Sequence, residues 1–349
     1  GCPEGSPDGP GGQDDPSLVP RRPVGETSPM PPAPSPRLFL IDGYAMIYRA
    51  FFAYGAQPLI NSKGENTSIA RGAYDFLRRL MDKHKPEYLG WVHDAGLSFR
   101  HERYPAYKAT RERLEPAMQA DFDTGVERIS QILAAMQIPI LSLEHYEADD
   151  VIGTLASRGV AAGFDVAIVS IDKDFMQLVG DAVRIYDPRE DCTWFDTDAV
   201  REKAGVRPSQ VADWLALVGD TSDNVAGVPG IGKKGAADLL GTFGSIDALL
   251  DRTDELKPKQ REALVSHRES LLTSRRLVTI HTDVPVTVDF ESLRYRGASR
   301  ERCYDLFSRL AFRSLVTEYA PTAANVERDY ALVTTREALD ALVVGTGGH

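Results

Sequence analysis

The chain has 349 residues, 42% of them hydrophobic, which is enough material for the core of one large or two medium domains. It contains no apolar run long enough to cross a membrane and no secretory signal, so the sequence predicts a cytoplasmic protein without a membrane partner. The net charge of −11 argues against a purely electrostatic grip on nucleic acid, and three scattered cysteines argue against a disulfide framework or a zinc site.

Residues 1–36 contain 11 of the 22 prolines and six glycines, a composition that predicts a disordered leader. After it, short apolar runs alternate with helical periodicity. Strands are predicted at 37–42, 88–94, 138–143 and 165–170, and helices from Thr67 or Ser68, over about 117–137, from Glu147, and briefly after Lys173. This alternation predicts an α/β fold with a mainly parallel sheet and helices on both faces.

Acidic residues follow each of these four strands. The carboxyl ends of parallel strands lie at one edge of a sheet, where such folds bind their ligands. The residues concerned are Asp42, Asp94, Glu147, Asp149, Asp150, Asp172 and Asp174. A single acid at such a place is usually a helix cap or a turn residue, but four strand ends together favour one shared carboxylate site.

The second half, residues 208–320, is predicted to be almost entirely helical. Asp220 and Asp223 lie three residues apart, a spacing that points both side chains the same way in a helical turn. The segment GVPGIGKKGAADLL then places Gly227, Gly230 and Gly232 in a tight turn before a helix. The N–H groups of that helix start, with Lys233 and Lys234, are suited to a phosphate; exposed lysines without a ligand are the alternative.

A basic stretch, SFRHERYPAYKATRER, lies between Asp94 and the long helix. It interleaves aromatic and cationic residues, which suits single-stranded nucleic acid because cations track phosphates and rings stack on bases. The residues are Arg100, Arg103, Tyr104, Tyr107, Lys108, Arg111 and Arg113. The alternative is a solvated basic face.

Together these segments resemble the 5′-nuclease, or flap endonuclease, superfamily, in the form fused to the front of bacterial DNA polymerase I. The blocks that carry the resemblance, in the family's order, are LIDGYAMIYRAFFA, DAGLSFRHERYPAYKATR, YEADDVIGTLA, SIDKDFMQLV, GDTSDNVAGVPGIGKKGAADLL and LAFRSLV. They cover about residues 37–320. Ile171 and His93 depart from the family's pattern, but neither removes a carboxylate.

The resemblance implies four regions. These are a leader (1–36), an α/β catalytic domain with a helical arch near 96–115 (37–207), a helical subdomain with a helix-hairpin-helix motif (208–320), and a linker that begins a following module (321–349).

The resemblance also implies two divalent ions, Mg²⁺ or Mn²⁺, which suit oxygen-only ligands. Around the first it places Asp42, Asp94, Glu147, Asp149 and Asp150, and around the second Asp172, Asp174, Asp220 and Asp223, some of them through water. It makes Lys108 and Arg111 the catalytic cations nearest the scissile phosphate and Arg100 and Tyr107 further DNA contacts. The hairpin glycines, Lys233 and Lys234 would bind duplex DNA, with K⁺ at the hairpin.

The expected function is a structure-specific 5′ nuclease that removes 5′ flaps or RNA primers at gapped or nicked duplex DNA. It would act as a monomer, in the native chain fused to a polymerase. Two alternatives stay open: a PIN-like metal-dependent ribonuclease, and a non-catalytic DNA-binding module of a polymerase. The helix-hairpin-helix argues against the first, and the carboxylates argue against the second.

Overall fold

A computed structural model of the chain describes residues 35–55, 57–111, 114–189 and 193–321. The predicted leader, Arg113 and the start of a following module lie outside these ranges. The described residues from Ser35 onward belong to one compact unit, so the division near residue 207 stays a prediction.

The described residues form one six-stranded sheet. Its strands, β1 to β6, are Arg37–Asp42, Tyr88–Val92, Ile140–Leu141, Asp165–Val169, Val183–Asp187 and Thr193–Phe195. They lie in the order β3-β2-β1-β4-β5-β6, and only β6 runs antiparallel to its neighbour. The predicted fold class, a mainly parallel sheet between layers of helices, is therefore confirmed.

Thirteen α-helices accompany the sheet within the described ranges. Those of the first half, α1 to α6, are Gly43–Ala53, Ser68–His84, Phe99–Arg103, Pro116–Ala135, Ala148–Ala161 and Thr197–Ala204. Those of the second half, α7 to α13, are Val211–Val218, Lys233–Phe243, Ile246–Asp251, Pro258–Ser266, Arg268–Val278, Arg300–Arg309 and Arg313–Tyr319. A 3₁₀ helix spans Asp174–Leu178, where a short helix was predicted.

The core divides into two layers because successive side chains of a strand point to opposite faces. Leu38 and Leu40 of β1 face one layer, which continues through α5 and α7 into the helical second half. Phe39 and Ile41 face the other, formed with α1, α2, α4 and α12. The strands are buried on both faces, which explains why they read as continuous apolar runs.

Helical arch is too strong a description of residues 96–115. Only Phe99–Arg103 is helical, and residues 105–110 form turns. Lys108 adopts a left-handed backbone conformation (φ 57°), which interrupts any helix there. The turn is held in place because the Lys108 N–H donates to the Asp223 carbonyl at 2.9 Å and the Asn224 amide donates to the Ala106 carbonyl at 2.7 Å.

Candidate metal centre

The first carboxylate of the site comes from the end of β1. Asp42 is the N-cap of α1, and its Oδ1 accepts the Ala45 N–H at 3.2 Å. Its Oδ2 accepts the Ser170 hydroxyl at 2.7 Å, and Ser170 directly follows β4. The neighbouring parallel strands β1 and β4 therefore fix one carboxylate at the carboxyl edge of the sheet.

The head of α5 carries the next group. Asp94, two residues beyond β2, accepts the Ala148 N–H at 2.6 Å and so caps this helix from outside. Glu147 is the N-cap residue and forms a capping box with Asp150. Capping thus accounts for part of the acidic cluster, but Asp149, the residue between, has no such role.

Asp150 and Arg100 differ from their predicted roles. Arg100 is only 2% exposed and Asp150 is fully buried, and two guanidinium nitrogens donate to the two Asp150 oxygens at 2.6 and 2.9 Å. Asp150 also accepts the His281 N–H at 2.9 Å. Its oxygens are committed to the protein, so Asp150 is not free to bind an ion directly, and Arg100 does not face DNA in this conformation.

Tyr107 is likewise buried, at 5% exposure, and its hydroxyl donates to Glu147 at 3.1 Å. A ring in this position cannot stack on a base without moving the whole turn. Its contribution in this structure is to orient the Glu147 carboxylate.

A second carboxylate group forms where the 3₁₀ helix meets the turn after α7. One oxygen each from Asp174, Asp220 and Asp223 lies within 4.8 Å of the others, a spacing that would let one cation touch all three. Asp174 Oδ1 is buried and has no hydrogen-bond partner. An unpaired buried carboxylate oxygen is costly unless a cation satisfies it, so these residues fit a metal ion. Asp172 lies outside this triplet.

Both groups border one open cleft of about 690 Å³. Its acidic lining residues are Asp42, Asp94, Asp123, Glu147, Asp149 and Asp172, and its cations are Lys108, Arg111 and Lys173. The structure therefore brings acids from four strand ends to one place, as their positions in the sequence predicted. Whether each one binds metal is not tested by the geometry.

The crowding perturbs these acids. Burial raises the pKa of Asp42 to about 7, and burial together with the charge of Asp172 raises that of Asp174 to about 8. Burial and the nearby carboxylates also raise the pKa of Asp149 well above its ordinary value. Without cations the cleft thus favours partly protonated acids, and bound divalent ions would remove that cost.

Basic side chains from the turn after α3 reach into the cleft. Lys108 Nζ lies 2.8 Å from Glu147 Oε1, and an Arg111 nitrogen lies 2.7 Å from Asp223 Oδ1. Burial favours the protonated form of Glu147, but Lys108 and Arg100 outweigh it, so the pKa of Glu147 lies below its usual value. The two predicted catalytic cations therefore contact two of the predicted metal ligands.

The glycine turn joins α7 to α8. A Cβ on Gly227 would overlap the carbonyl of Val218, and Gly230 has a φ of 82°, so both positions require glycine. Gly232 is the N-cap of α8, and Lys233 and Lys234 are exposed on its first turn. The predicted hairpin is present, with free helix-start N–H groups beside two positive charges.

Comparison with known proteins gives the fold a family. The N-terminal resolvase-like domain of 5′-3′ exonucleases matches residues 37–205, and their C-terminal SAM fold matches residues 206–301. The chain belongs to the 5′-3′ exonuclease family of hydrolases.

Relatives and solved structures agree with that assignment. DNA polymerase I of Bacillus caldotenax is 38% identical over 301 residues, which are 84% of this chain and 34% of the relative. The chain spans about a third of the length of the curated relatives it matches. The bacteriophage T5 5′-exonuclease with bound zinc superposes with a TM-score of 0.62 at 20% identity, covering 81% of this chain and 99% of that one.

A pseudo-enzyme-product complex of the T5 flap endonuclease with DNA and metal ions has the same fold. It superposes with a TM-score of 0.59 at 20% identity and covers 81% of this chain and 96% of that one.

Two residues of this 5′-3′ exonuclease belong to the site although the sequence did not single them out. Ser170 holds Asp42, as described above. Lys173 Nζ lies 2.5 Å from Asp220 Oδ2 and so bridges the DKD segment to the turn after α7. Lys173 could have been found from its place between two acids, whereas Ser170 carries no signal in the sequence. No helix in the described ranges is long and apolar enough to cross a membrane.

Proposed function

We propose that the chain is a metal-dependent, structure-specific 5′ nuclease that cuts 5′ flaps or RNA primers near the junction of single strand and duplex. The observation that carries the proposal is the cleft itself. Carboxylates from four strand ends meet there, with one buried carboxylate oxygen left unpaired and with cations close enough to meet a phosphate. A protein that only bound DNA would gain nothing from such negative charge facing a phosphate backbone.

The residues divide into two ion sites in this proposal. Asp42, Asp94, Glu147 and Asp149 would hold one divalent ion, and Asp174, Asp220 and Asp223, with Asp172 beside them, would hold the other. Oxygen ligands favour Mg²⁺ or Mn²⁺. Two such ions supply an activated water and charge neutralisation at the scissile phosphate.

Asp150 has a supporting part instead of a ligand's part. Its salt bridge with Arg100 locks the head of α5, and Arg100 and Tyr107 both donate to Glu147 Oε2. Glu147 is thereby held in one orientation toward the cleft, as ligand sites require.

Lys108 and Arg111 are the residues that would meet the scissile phosphate. They lie against Glu147 and Asp223 here, and ions on those carboxylates would compete for the same oxygens. Freed side chains can stabilise charge developing on the phosphoryl oxygens. One set of acids would thus hold the cations back until metal is present.

Substrate choice would come from shape. The hairpin with Lys233 and Lys234, joined by K⁺ at its carbonyls, would hold duplex DNA through its backbone without reading sequence. The segment 96–111 would take the single strand. Since the matching relatives are longer DNA polymerases, we propose that a polymerase follows this part in the native protein, which works as a monomer in the cytoplasm on nicked or gapped DNA.

The test uses a double-flap DNA labelled at both ends, incubated with Mg²⁺ or with EDTA. The wild type should make one cut near the junction in Mg²⁺ only, and Asp174→Asn should lower the rate by at least about a hundredfold, as loss of a metal ligand does in comparable sites. Asp305→Asn, an equal charge change on the exposed face of α12, is the matched control and should cut normally.

Intact DNA in every sample, with binding retained, would contradict the nuclease proposal and support the non-catalytic module. Cleavage of single-stranded RNA in preference to the flap would support the PIN-like ribonuclease.

A further inference from the structure

A second cavity, of about 430 Å³, lies between α3 and α11. Its lining includes four arginines and one histidine but no acidic residue. The chain as a whole carries 51 acidic and 40 basic residues, so a cavity free of acids is a local departure from the protein's charge. A positive cavity of this kind suits an anionic ligand.

Two of the four arginines are already committed to carboxylates. Arg100 is paired with Asp150, and Arg275 lies 2.8 Å from Asp213 and 2.9 Å from Asp247. The other two differ in this respect.

Arg103 and Arg276 are exposed, and neither forms an ion pair with any carboxylate in the described ranges. The Arg103 guanidinium lies 5.7 Å from the centre of the Phe99 ring, a cation-π contact that holds it on the cavity wall. The cavity thus presents two uncompensated positive charges.

The cavity lies directly behind the acidic cleft. Glu147 lines the cleft, Arg100 lines the cavity, and their side chains meet at 3.3 Å. The short segment 99–111 borders both spaces: Lys108 and Arg111 face the cleft, and Arg103 faces the cavity. A strand that crosses this segment from the cleft therefore arrives at Arg103.

We propose that this cavity binds phosphates of the single-stranded 5′ segment of the substrate, beyond the point of cleavage. The inference rests on the function proposed above and adds a site to it. Phe99, Leu272 and Leu277 give the cavity apolar walls, which suit the sugars and bases of a strand better than a fully hydrated free anion. Arg103 and Arg276 would hold the phosphates.

The test compares two DNAs with the same duplex junction, one with a 5′ flap of about ten nucleotides and one without a flap. Binding is measured by fluorescence anisotropy in Ca²⁺, with cleavage monitored in the same samples. The double variant R103Q/R276Q should bind the flap DNA about tenfold more weakly and the flapless DNA as the wild type does. The salt dependence for flap DNA should lose about 0.7 per phosphate released, roughly 1.4 in all.

The matched control is R79Q/R302Q, which removes two exposed arginines on α2 and α12, away from the cavity. It should bind both DNAs like the wild type, and circular dichroism should show both double variants folded. Wild-type affinity of R103Q/R276Q for the flap, or equal weakening with both DNAs, would overturn the inference.

A third arm adds inorganic phosphate at a few millimolar, with chloride matched for ionic strength. Release of the flap by phosphate alone would mean a free-anion site and would also overturn the strand assignment. If the wild type cuts the flap in Mg²⁺ while the variant binds normally, only the cavity inference fails. If the wild type neither prefers nor cuts the flap, the proposed function fails as well.

Discussion

Single residues in this protein show how burial changes the part a charge can play. In the sequence Arg100 stands in a basic run and reads as a nucleic-acid contact, whereas in the fold its guanidinium lies inside the protein between Asp150 and Glu147. Its Nε also donates to the Leu277 carbonyl at 2.9 Å, and Nη2 donates to Thr279 at 2.7 Å. Arg100 therefore ties α3, α5 and the end of α11 together.

This position predicts a large stability effect for one substitution and almost none for its neighbour. Arg100→Gln should cost about 3–5 kcal/mol in the free energy of unfolding, because it leaves the buried Asp150 carboxylate without its counter-charge. Arg103→Gln, the same change on the exposed side of the same helix, should cost less than about 0.5 kcal/mol.

Urea unfolding followed by circular dichroism measures both. Arg100→Lys should fall between the two, since it keeps the charge but loses the paired geometry. Equal midpoints for Arg100→Gln and Arg103→Gln would show that the buried pair contributes no net stability.

At the scale of elements, the sequence predicts those whose pattern is local. The amphipathic α2 and the buried strands β1, β2 and β4 lie where periodicity places them, and the predicted start of α2 matches its N-cap, Thr67. β5 and β6 were not predicted, because β6 is a three-residue edge strand that exists only through its pairing with β5. Its register comes from the partner strand and not from its own pattern.

The same limit applies to the site. The acids could be assigned to one edge because parallel strands share their direction, but which acids become committed to buried partners depends on packing between distant segments. Asp150 meets Arg100 across 50 residues and the His281 N–H across 131. No local spacing encodes those contacts.

The hairpin between α7 and α8 gives a prediction at the level of one element. Gly227→Ala should destabilise the protein by about 1–3 kcal/mol, because the new methyl would overlap the Val218 carbonyl and force the two helices apart. Gly241→Ala, within α8, meets nothing within 4 Å and should stabilise it by up to about 1 kcal/mol. Opposite shifts of the thermal midpoint are expected, and a tolerated Gly227→Ala would mean that the turn is looser than the structure indicates.

At the scale of the whole molecule, opposite charges are kept in separate places. Acids are gathered in the cleft, while uncompensated arginines border the cavity behind it and exposed lysines begin α8. A net charge of −11 is therefore a poor guide to what a nucleic acid would meet at these surfaces. Much of that charge belongs to one site that divalent ions would neutralise.

The concentration of acids predicts how stability depends on pH when metal is absent. The folded-state pKa values of Asp42 and Asp174 are raised to about 7 and about 8, above the unfolded value of 3.8. A group of this kind stabilises the fold fully below its unfolded pKa and loses that contribution as the pH rises through its folded pKa. In EDTA, the midpoint of thermal unfolding should therefore fall between pH 6 and 8.5, by roughly 5 °C.

Divalent ions should reverse this trend, because they bind the deprotonated carboxylates and not the protonated ones. Adding Mg²⁺ or Mn²⁺ should raise the thermal midpoint more at pH 8.5 than at pH 6, which differential scanning calorimetry can follow on the same protein. The variant D42N/D174N is the control: its midpoint in EDTA should vary less over this range, and added metal should raise it less. A wild-type midpoint that rises with pH in EDTA would show that the paired acids, such as Glu147 with Lys108, dominate the balance of charge in the cleft.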